Sequence, residues 1–109
     1  MQRTATIIDK PWGTEEIWAT THHSIGKLLT INPGHRLSRK YHKRKNHTIR
    51  ILEGTLLLEI GPRTEGATIE MRWLKPGMVH HLPSNTIHRF CAGQEVVKIL
   101  ELSLAGPDD

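Results

Sequence analysis

Hydrophobic residues in this chain occur in short runs or alternate with polar residues, and Gly, Pro, Asn and Asp separate the runs. Alternation with a period of two is typical of β-strands, whereas the 3.6-residue period of an amphipathic helix is almost absent. The pattern predicts short strands close to the following ranges: Thr4–Ile8, Glu15–Thr20, Ile25–Ile31, Arg36–Tyr41, His47–Leu52, Thr55–Ile60, Ala67–Trp73, Val79–Leu82, Ile87–Ala92 and Val96–Leu104.

Residues that favour turns stand between the predicted strands. The segments Asn32–Gly34 and Lys75–Gly77 both end in Pro-Gly, in which proline fixes one φ and glycine accepts a positive one. Glu53 and Gly54 predict a tight hairpin between two apolar strands. Because so many short strands would otherwise expose sheet edges, the sequence predicts an all-β sandwich or a closed barrel.

Length and cysteine content narrow the class of protein. The 109 residues fit one domain with a modest core, and the single cysteine, Cys91, excludes an internal disulfide and fits a reducing compartment. The neighbours Phe90 and Ala92 predict that this thiol is buried and inert. No apolar run approaches the length of a membrane-spanning helix, and no signal-type segment follows Met1. We therefore expect a cytoplasmic protein with no membrane partner.

Positive charge is concentrated in one segment. The formal net charge of the chain is +4, and residues 36–45 contain six Lys or Arg side chains and no acid. Such a segment either faces water or meets an anion, so a solvated loop, a phosphorylated sugar and nucleic acid are the alternatives. Nucleic acid is the least favoured, because Tyr41 is the only aromatic residue in the segment that could stack on a base.

Histidines supply the candidate chemistry. Lys40 and His42 share one face of a predicted strand, since side chains two residues apart point the same way. His47 opens the next predicted strand, and His88 comes from a separate one. Three imidazoles with open coordination positions are typical of a reactive metal site, although surface or packing roles remain the alternative for each of the eight histidines. His42, His47 and His88 are the candidate metal ligands.

The spacing of these residues resembles the first cupin motif. Gly34, His42 and Gly54 keep the register of that motif. Lys40 stands at its first histidine, and His47 stands at its glutamate. An ammonium opposes a bound cation, and the loss of a carboxylate disfavours hard ions such as manganese and magnesium. The resemblance therefore implies a divalent transition metal, namely zinc, iron, nickel or copper, at the three candidate histidines.

The second motif extends the resemblance. Gly77, Pro83 and His88 keep its register, with Asn85 at the position of its glycine. More specifically, the chain resembles the cupin domain of the type II mannose-6-phosphate isomerases in segments 10–18, 27–29, 33–38, 52–55 and 83–89. The resemblance implies a single-domain, cupin-type β-barrel (a double-stranded β-helix or jelly roll) over residues 1–109, with its barrel core at about residues 24–104.

The resemblance also implies a function. In an aldose–ketose isomerase the metal would polarise a carbonyl while a base moves a proton between adjacent carbons, and Arg36 and Lys40 would bind the phosphate. The sequence identifies no inward-facing carboxylate that could be this base. We therefore expect a metal-binding cupin that acts on or binds a sugar phosphate or related anionic sugar, and an isomerase if the protein is an enzyme.

Two other functions stay open. One is a non-catalytic cupin that binds a sugar or nucleotide sugar, which the altered ligand positions favour. The other is an iron oxygenase of the three-histidine type, a dioxygenase, which the spacing permits. The resemblance further implies a homodimer, for which the apolar strands Thr55–Ile60 and Val96–Leu104 would supply an edge contact.

Overall fold

The computed structural model describes residues 4–104, which form nine β-strands. Within this range, no helix has the length and apolar character needed to cross a lipid bilayer. The predicted all-β class is confirmed, and the strand boundaries differ from the predicted ones by a few residues. The strands are β1 (Thr6–Lys10), β2 (Gly13–Thr20), β3 (Ser24–Ile31), β4 (His47–Glu53), β5 (Leu56–Pro62), β6 (Glu70–Leu74), β7 (Val79–Leu82), β8 (Thr86–Ala92) and β9 (Val97–Leu104).

Two antiparallel sheets enclose the core. The larger sheet has the order β1-β2-β3-β9-β4-β7, and the smaller has the order β6-β5-β8. The last strand, β9, lies between β3 and β4, so that strands remote in sequence are neighbours in space. This crossed connectivity is that of a jelly-roll barrel, as predicted.

The strands predicted to supply a dimer edge are both internal. β5 lies between β6 and β8, and β9 lies between β3 and β4, so the backbone groups of both strands are already paired. The prediction of an edge contact through them is therefore wrong. The outer face of β9 instead exposes two leucines, Leu102 at 49% and Leu104 at 56% of their surface.

The turn predicted at Gly54 joins β4 to β5, but these strands belong to different sheets and do not pair, so the predicted hairpin is wrong and the turn is a corner between the sheets. This corner depends on the absence of a side chain. Gly54 has a φ of 74°, in the left-handed region that glycine accepts. A Cβ at this position would lie 2.1 Å from the carbonyl oxygen of Val96, the residue that precedes β9. The close approach of the two backbones explains why glycine is required at this corner of the barrel.

The segment after Gly34 extends the edge of β8, but it is not the regular strand that was predicted over Arg36–Tyr41. Arg36 pairs with Cys91 and Lys40 pairs with His88, so the segment advances four residues while β8 advances three. The extra residue is a β-bulge. Because side chains alternate between faces, this one-residue shift places Lys40 and Arg36 on opposite faces of the sheet. Lys40 lies on the face of His88, and Arg36 lies on the face of Cys91.

The inner face of the barrel is apolar at one end and polar at the other. On β9, Val97 and Ile99 are fully buried, whereas Glu101 and Ser103 occupy the next two inward positions. The hydrophobic core consists mainly of Leu29, Ile31, Leu37, Ile49, Ile51, Leu56, Leu58, Leu74, Leu82, Phe90, Val97 and Ile99. Each of these side chains stabilises the fold by about 1.5–3 kcal/mol on burial. Polar side chains contribute no such term, so their burial at the other end points to a functional site.

Candidate metal centre and ligand cavity

The polar end of the barrel encloses a cavity of about 160 Å³. His42, His47 and His88 all line it, together with Lys40, whereas Arg36 does not. The other lining residues are Lys10, Trp12, Glu15, Ile25, Lys27, Leu29, Leu37, Ser38, Lys45, Arg89, Phe90, Glu101 and Ser103. The cavity therefore brings together the residues of both predicted motifs.

The three candidate histidines are close neighbours in the cavity. The ring centroid of His42 lies 4.5 Å from that of His47 and 6.2 Å from that of His88, and the latter two are 6.0 Å apart. In the side-chain positions of this structure, however, no group of three or more His, Cys, Asp or Glu residues within 4–104 could hold a metal ion. The rings are gathered, but their nitrogens do not converge on one point. Their assignment as metal ligands stays a prediction.

The turn between β7 and β8 holds the loop that separates two of these histidines. The backbone N–H of Asn85 donates to the carbonyl oxygen of His42 at 2.7 Å, and the N–H of Ser84 donates to Oδ1 of Asn46 at 3.1 Å. Asn85 has a φ of 60°, which asparagine tolerates better than most residues. Both ends of the basic loop 43–46 are thus tied to one turn, which keeps His42 beside His47.

His47 is buried and its ring lacks conventional partners. Both ring nitrogens are inaccessible to solvent and make no hydrogen bond. Nδ1 lies 3.4 Å from Oε1 of Glu101, close enough for an ion-pair contact but not aligned as a hydrogen bond. A buried polar group without a partner costs about 1–3 kcal/mol. Such a ring is expected where a metal ion or another bound group supplies the partner.

The surroundings of His88 keep its ring neutral, as a metal ligand requires. Its Nδ1 lies 3.3 Å from the carbonyl oxygen of Thr86. Because a carbonyl only accepts, Nδ1 carries the proton and Nε2 retains its lone pair. Burial, with the positive charges that His47 and His42 would carry, lowers the pKa of His88 to about 4. The ring is therefore neutral at pH 7, the state in which imidazole binds metals.

Glu101 is a cavity residue that the sequence analysis missed. It is buried on β9, in contact with His47. Burial raises the pKa of Glu101, but the contact with His47 and the charges of His47 and Lys27 outweigh that effect, so the pKa lies below its ordinary value. The strand alternation of β9, which puts Glu101 on the face of Ile99, was the signal that could have found it. The sequence singled out no inward-facing carboxylate, and the structure supplies one at Glu101.

Lysine side chains make the cavity positively charged. Lys10, Lys27, Lys40 and Lys45 all line it, and Nζ of Lys27 lies 3.1 Å from Oε1 of Glu15. Positive charge on the walls of a cleft attracts anions and favours their binding. The cavity is therefore suited to a small anionic ligand.

Arg36 lies with a different group of residues, on the outer face of the smaller sheet. There the buried carboxylate of Glu59 accepts hydrogen bonds from Nη2 of Arg39 at 3.0 Å and from Nε of Arg89 at 3.1 Å. Burial opposes ionisation of Glu59, but the two guanidinium groups outweigh it and lower its pKa. Cys91 is buried beside this carboxylate, as predicted, and burial raises the pKa of its thiol. A role for Arg36 in anion binding stays a prediction that the cavity does not support.

Solved structures with the same fold come from proteins of different kinds. KdgF from a Halomonas species superposes with a TM-score of 0.78 at 21% identity, covering 98% of this chain and 92% of that one. The cupin domain of CENP-C from Drosophila melanogaster gives a TM-score of 0.78 at 12% identity, covering 93% and 75%. A variant of oxalate decarboxylase from Bacillus subtilis gives 0.82 at 15% identity, covering 96% of this chain and 28% of that one. Identities this low show a shared fold and not a shared activity.

The sequence itself identifies the family. No protein of curated function matches the chain. The sequence pattern of the Cupin domain family matches residues 27–103, which include both histidine motifs and seven of the nine strands in whole or in part. Members of this family commonly bind metal ions. The chain belongs to the cupin family.

Proposed function

We propose that this cupin binds a divalent transition metal through His42, His47 and His88 and uses that site to bind a small anionic sugar, such as a sugar phosphate. The observation that carries the proposal is the ring of His47, which is buried without a hydrogen-bond partner and lies among two further imidazoles. The resemblance to the type II mannose-6-phosphate isomerases supports the choice of ligand.

The chemistry of the donor set fits a nitrogen-preferring ion. Three neutral imidazoles favour zinc, iron, nickel or copper over manganese or magnesium. When bound, such an ion would polarise a carbonyl or hydroxyl oxygen of the ligand. Because the ring nitrogens do not yet converge, ion binding requires that the three side chains rotate within the cavity.

The anionic group of the ligand is assigned to Lys40. Its backbone N–H donates to the carbonyl oxygen of His88 at 3.1 Å, and the N–H of His88 donates back at 2.9 Å. This pairing fixes the start of the lysine side chain beside a proposed metal ligand, on the same face. A ligand could thus place a polar oxygen at the metal and its phosphate or carboxylate at the ammonium.

Isomerisation is the reaction that this site would support if turnover occurs. The reaction needs a group that takes a proton from one carbon and returns it to the next. Glu101 lines the cavity with an ionised carboxylate that would accept that proton, and the contact with His47 that lowers its pKa makes it a weak base. Glu15 also lines the cavity, where it pairs with Lys27.

Ligand binding without turnover is the second candidate. Lys40 stands where cupins commonly have a histidine ligand, and the three imidazoles are not arranged around one point. Both features weaken a catalytic metal site while leaving the anion-binding cavity intact. In this case the protein would act as a sugar-binding module.

Metal analysis tests the proposal directly. Protein purified without added metal is measured for bound ions, and the ion-free protein is then titrated with Co²⁺, whose visible absorption reports on its ligands. We expect one ion per chain for the wild type and a loss of at least tenfold in affinity for His88→Ala. His81→Ala is the matched control, because His81 is exposed and hydrogen-bonded to Thr48 outside the cavity. Equal binding by both variants, or none by the wild type, would contradict the proposed metal site.

Assays of turnover separate the candidate functions. Interconversion of mannose 6-phosphate and fructose 6-phosphate by the metal-loaded protein would support the isomerase. Oxygen uptake by the iron-loaded protein with a substrate panel would indicate the dioxygenase instead. Saturable binding of the sugar phosphate without any reaction would support the binding module.

We further propose that residues 1–109 form a single cupin domain that acts as a cytoplasmic homodimer. Because β5 and β9 are internal, the contact is assigned to the outer face of the larger sheet. Leu102 and Leu104 are half-exposed there, and Val79 on β7 exposes 61% of its surface. Apolar side chains grouped on one sheet face are typical of a protein interface.

A further inference from the structure

We propose that Glu101 is a positioning residue, which holds His47 in the tautomer that leaves Nε2 available to a metal ion. The inference rests on the proposed function as far as the metal is concerned, but the tautomer itself can be tested without metal. Neither cupin motif contains Glu101, and its place in the sequence predicts no role for it.

Strand register places Glu101 beside His47. β9 pairs with β4 so that Ser103 lies opposite His47 and Glu101 lies opposite Ile49. His47 and Glu101 are therefore diagonal neighbours on the inner face, a separation that long side chains span. Both side chains are buried, with 7% of each residue exposed.

The contact involves one particular nitrogen of the ring. Oε1 of Glu101 lies 3.4 Å from Nδ1 of His47. A neutral imidazole has one N–H, and a carboxylate stabilises that N–H on the nitrogen nearest to it, because it only accepts. No hydrogen bond of the described residues competes for Nε2. The carboxylate therefore favours the Nδ1–H tautomer and leaves the lone pair on Nε2.

His88 shows the same arrangement with a different acceptor. The carbonyl oxygen of Thr86 lies next to its Nδ1, so that its Nε2 is also left without a proton. His47 and His88 are thus both held in the Nδ1–H tautomer, by oxygens of Glu101 and Thr86, which are not proposed ligands. Acceptors of this kind commonly change metal affinity by 10–100-fold.

Glu101 also restores a negative charge to the site. The first cupin motif usually supplies a glutamate at the position of His47, and this chain supplies an imidazole there instead. Glu101 brings a carboxylate from β9 to the Nδ1 side of this imidazole. Its neighbour across the sheet on β3 is Lys27, which is itself paired with Glu15. The charge lost from one strand is therefore supplied by another.

The tautomer is tested by NMR on metal-free protein at pH 7. Long-range ¹H–¹⁵N correlation spectra distinguish Nδ1–H from Nε2–H in each histidine ring. We expect His47 in the Nδ1–H form in the wild type, and a shift toward the Nε2–H form in Glu101→Met, which has similar size and no acceptor. Glu15→Gln is the matched control, because it removes another cavity carboxylate that contacts a lysine and no histidine; it should leave the tautomer unchanged.

Cobalt titration gives an independent measurement. We expect Glu101→Met to bind Co²⁺ 10–100-fold more weakly than the wild type, Glu101→Asp to recover part of that loss, and Glu15→Gln to change affinity by less than about threefold. Wild-type His47 in the Nε2–H form would overturn the inference, and this measurement does not depend on whether any variant folds. An unchanged tautomer in folded Glu101→Met would also overturn it. If wild-type His47 is in the Nδ1–H form but the protein binds no metal, the proposed metal function fails and the positioning role stands.

Discussion

Lys40 and His88 are partners in an antiparallel bridge, and two backbone hydrogen bonds of 3.1 and 2.9 Å join them. Their side chains leave the backbone on the same face and enter the same cavity. Arg36, four residues earlier, leaves on the opposite face, because the bulge between the two positions shifts the alternation by one. Two cations that look equivalent in the sequence therefore have different surroundings.

The first prediction compares Lys40→Met with Arg36→Met. Loss of the cavity ammonium should weaken binding of a sugar phosphate about 10–100-fold, since a charge-assisted hydrogen bond contributes about 1.5–3 kcal/mol. The same change should strengthen Co²⁺ binding, because it removes a like charge from beside the metal. Calorimetric titration with each ligand measures both effects. Arg36→Met should change neither, and a comparable loss of sugar phosphate affinity in the two variants would refute the assignment.

A second prediction concerns pH and His88. The pKa of His88 is about 4 in the folded protein, below its ordinary value of 6.5, so the unfolded chain binds one more proton between these values. The free energy of unfolding should therefore fall as pH drops from 7 to 5, by roughly 2 kcal/mol from this group. Urea denaturation of the metal-free protein measures it. Glu59 and Glu101 have lowered pKa values, so their contribution to the free energy of unfolding is lost only at more acidic pH.

His88→Gln is the control for this pH dependence. Glutamine does not titrate, so the variant should show a slope between pH 7 and 5 that is smaller by about one proton. Identical slopes for the wild type and the variant would mean that His88 is not the group responsible.

The third prediction concerns the corner between the two sheets at Gly54. Gly54→Ala should destabilise the protein by more than about 3 kcal/mol, because the new Cβ meets the carbonyl oxygen of Val96 in addition to the strained φ. Gly77→Ala is the matched control, since Gly77 has a φ of 89° but no atom within 4 Å of the added Cβ. It should cost about 1–2 kcal/mol, the cost of the left-handed conformation. Urea denaturation compares the two, and equal losses would show that the close approach does not matter.

The fourth prediction concerns the outer face of the larger sheet. Leu102→Lys should convert a dimer into a monomer, because the charge would be buried without a partner in an interface. Sedimentation velocity measures the oligomeric state. Met71→Lys is the control, since Met71 is exposed at 66% on the smaller sheet and should leave the dimer intact. A wild-type protein that sediments as a monomer would contradict the proposed interface.

Much of the barrel follows from local pattern. The strand predicted at Val79–Leu82 has the same bounds in the structure, and the chain turns at Gly54, as predicted. Hydrophobic alternation fixes which residues face inward, so a strand with one buried face can be recognised without its neighbours. The histidine trio was selected by a different signal, because its spacing matches the cupin motifs.

The bulge could not be found in this way, and Glu101 was missed although the alternation of β9 places it on the face of Ile99. The bulge lies at Leu37–Arg39, a stretch with no glycine or other residue that marks such an irregularity, so the sequence predicted a regular strand. A glutamate in a predicted strand is assigned to the surface by default, because acids are rarely buried without a partner. The partner here is His47, which β9 meets only after the chain has crossed between the sheets.

The extra residue after Leu37 has a practical consequence for protein engineering. Because it separates Arg36 from Lys40 by face, solubility or surface charge can be redesigned at Arg36 and Arg39 while ligand choice is tuned independently at Ser38 and Lys40. Libraries that randomise residues 36–40 should therefore treat them as two interleaved sets of positions. One set faces the outside of the barrel, and the other faces the cavity.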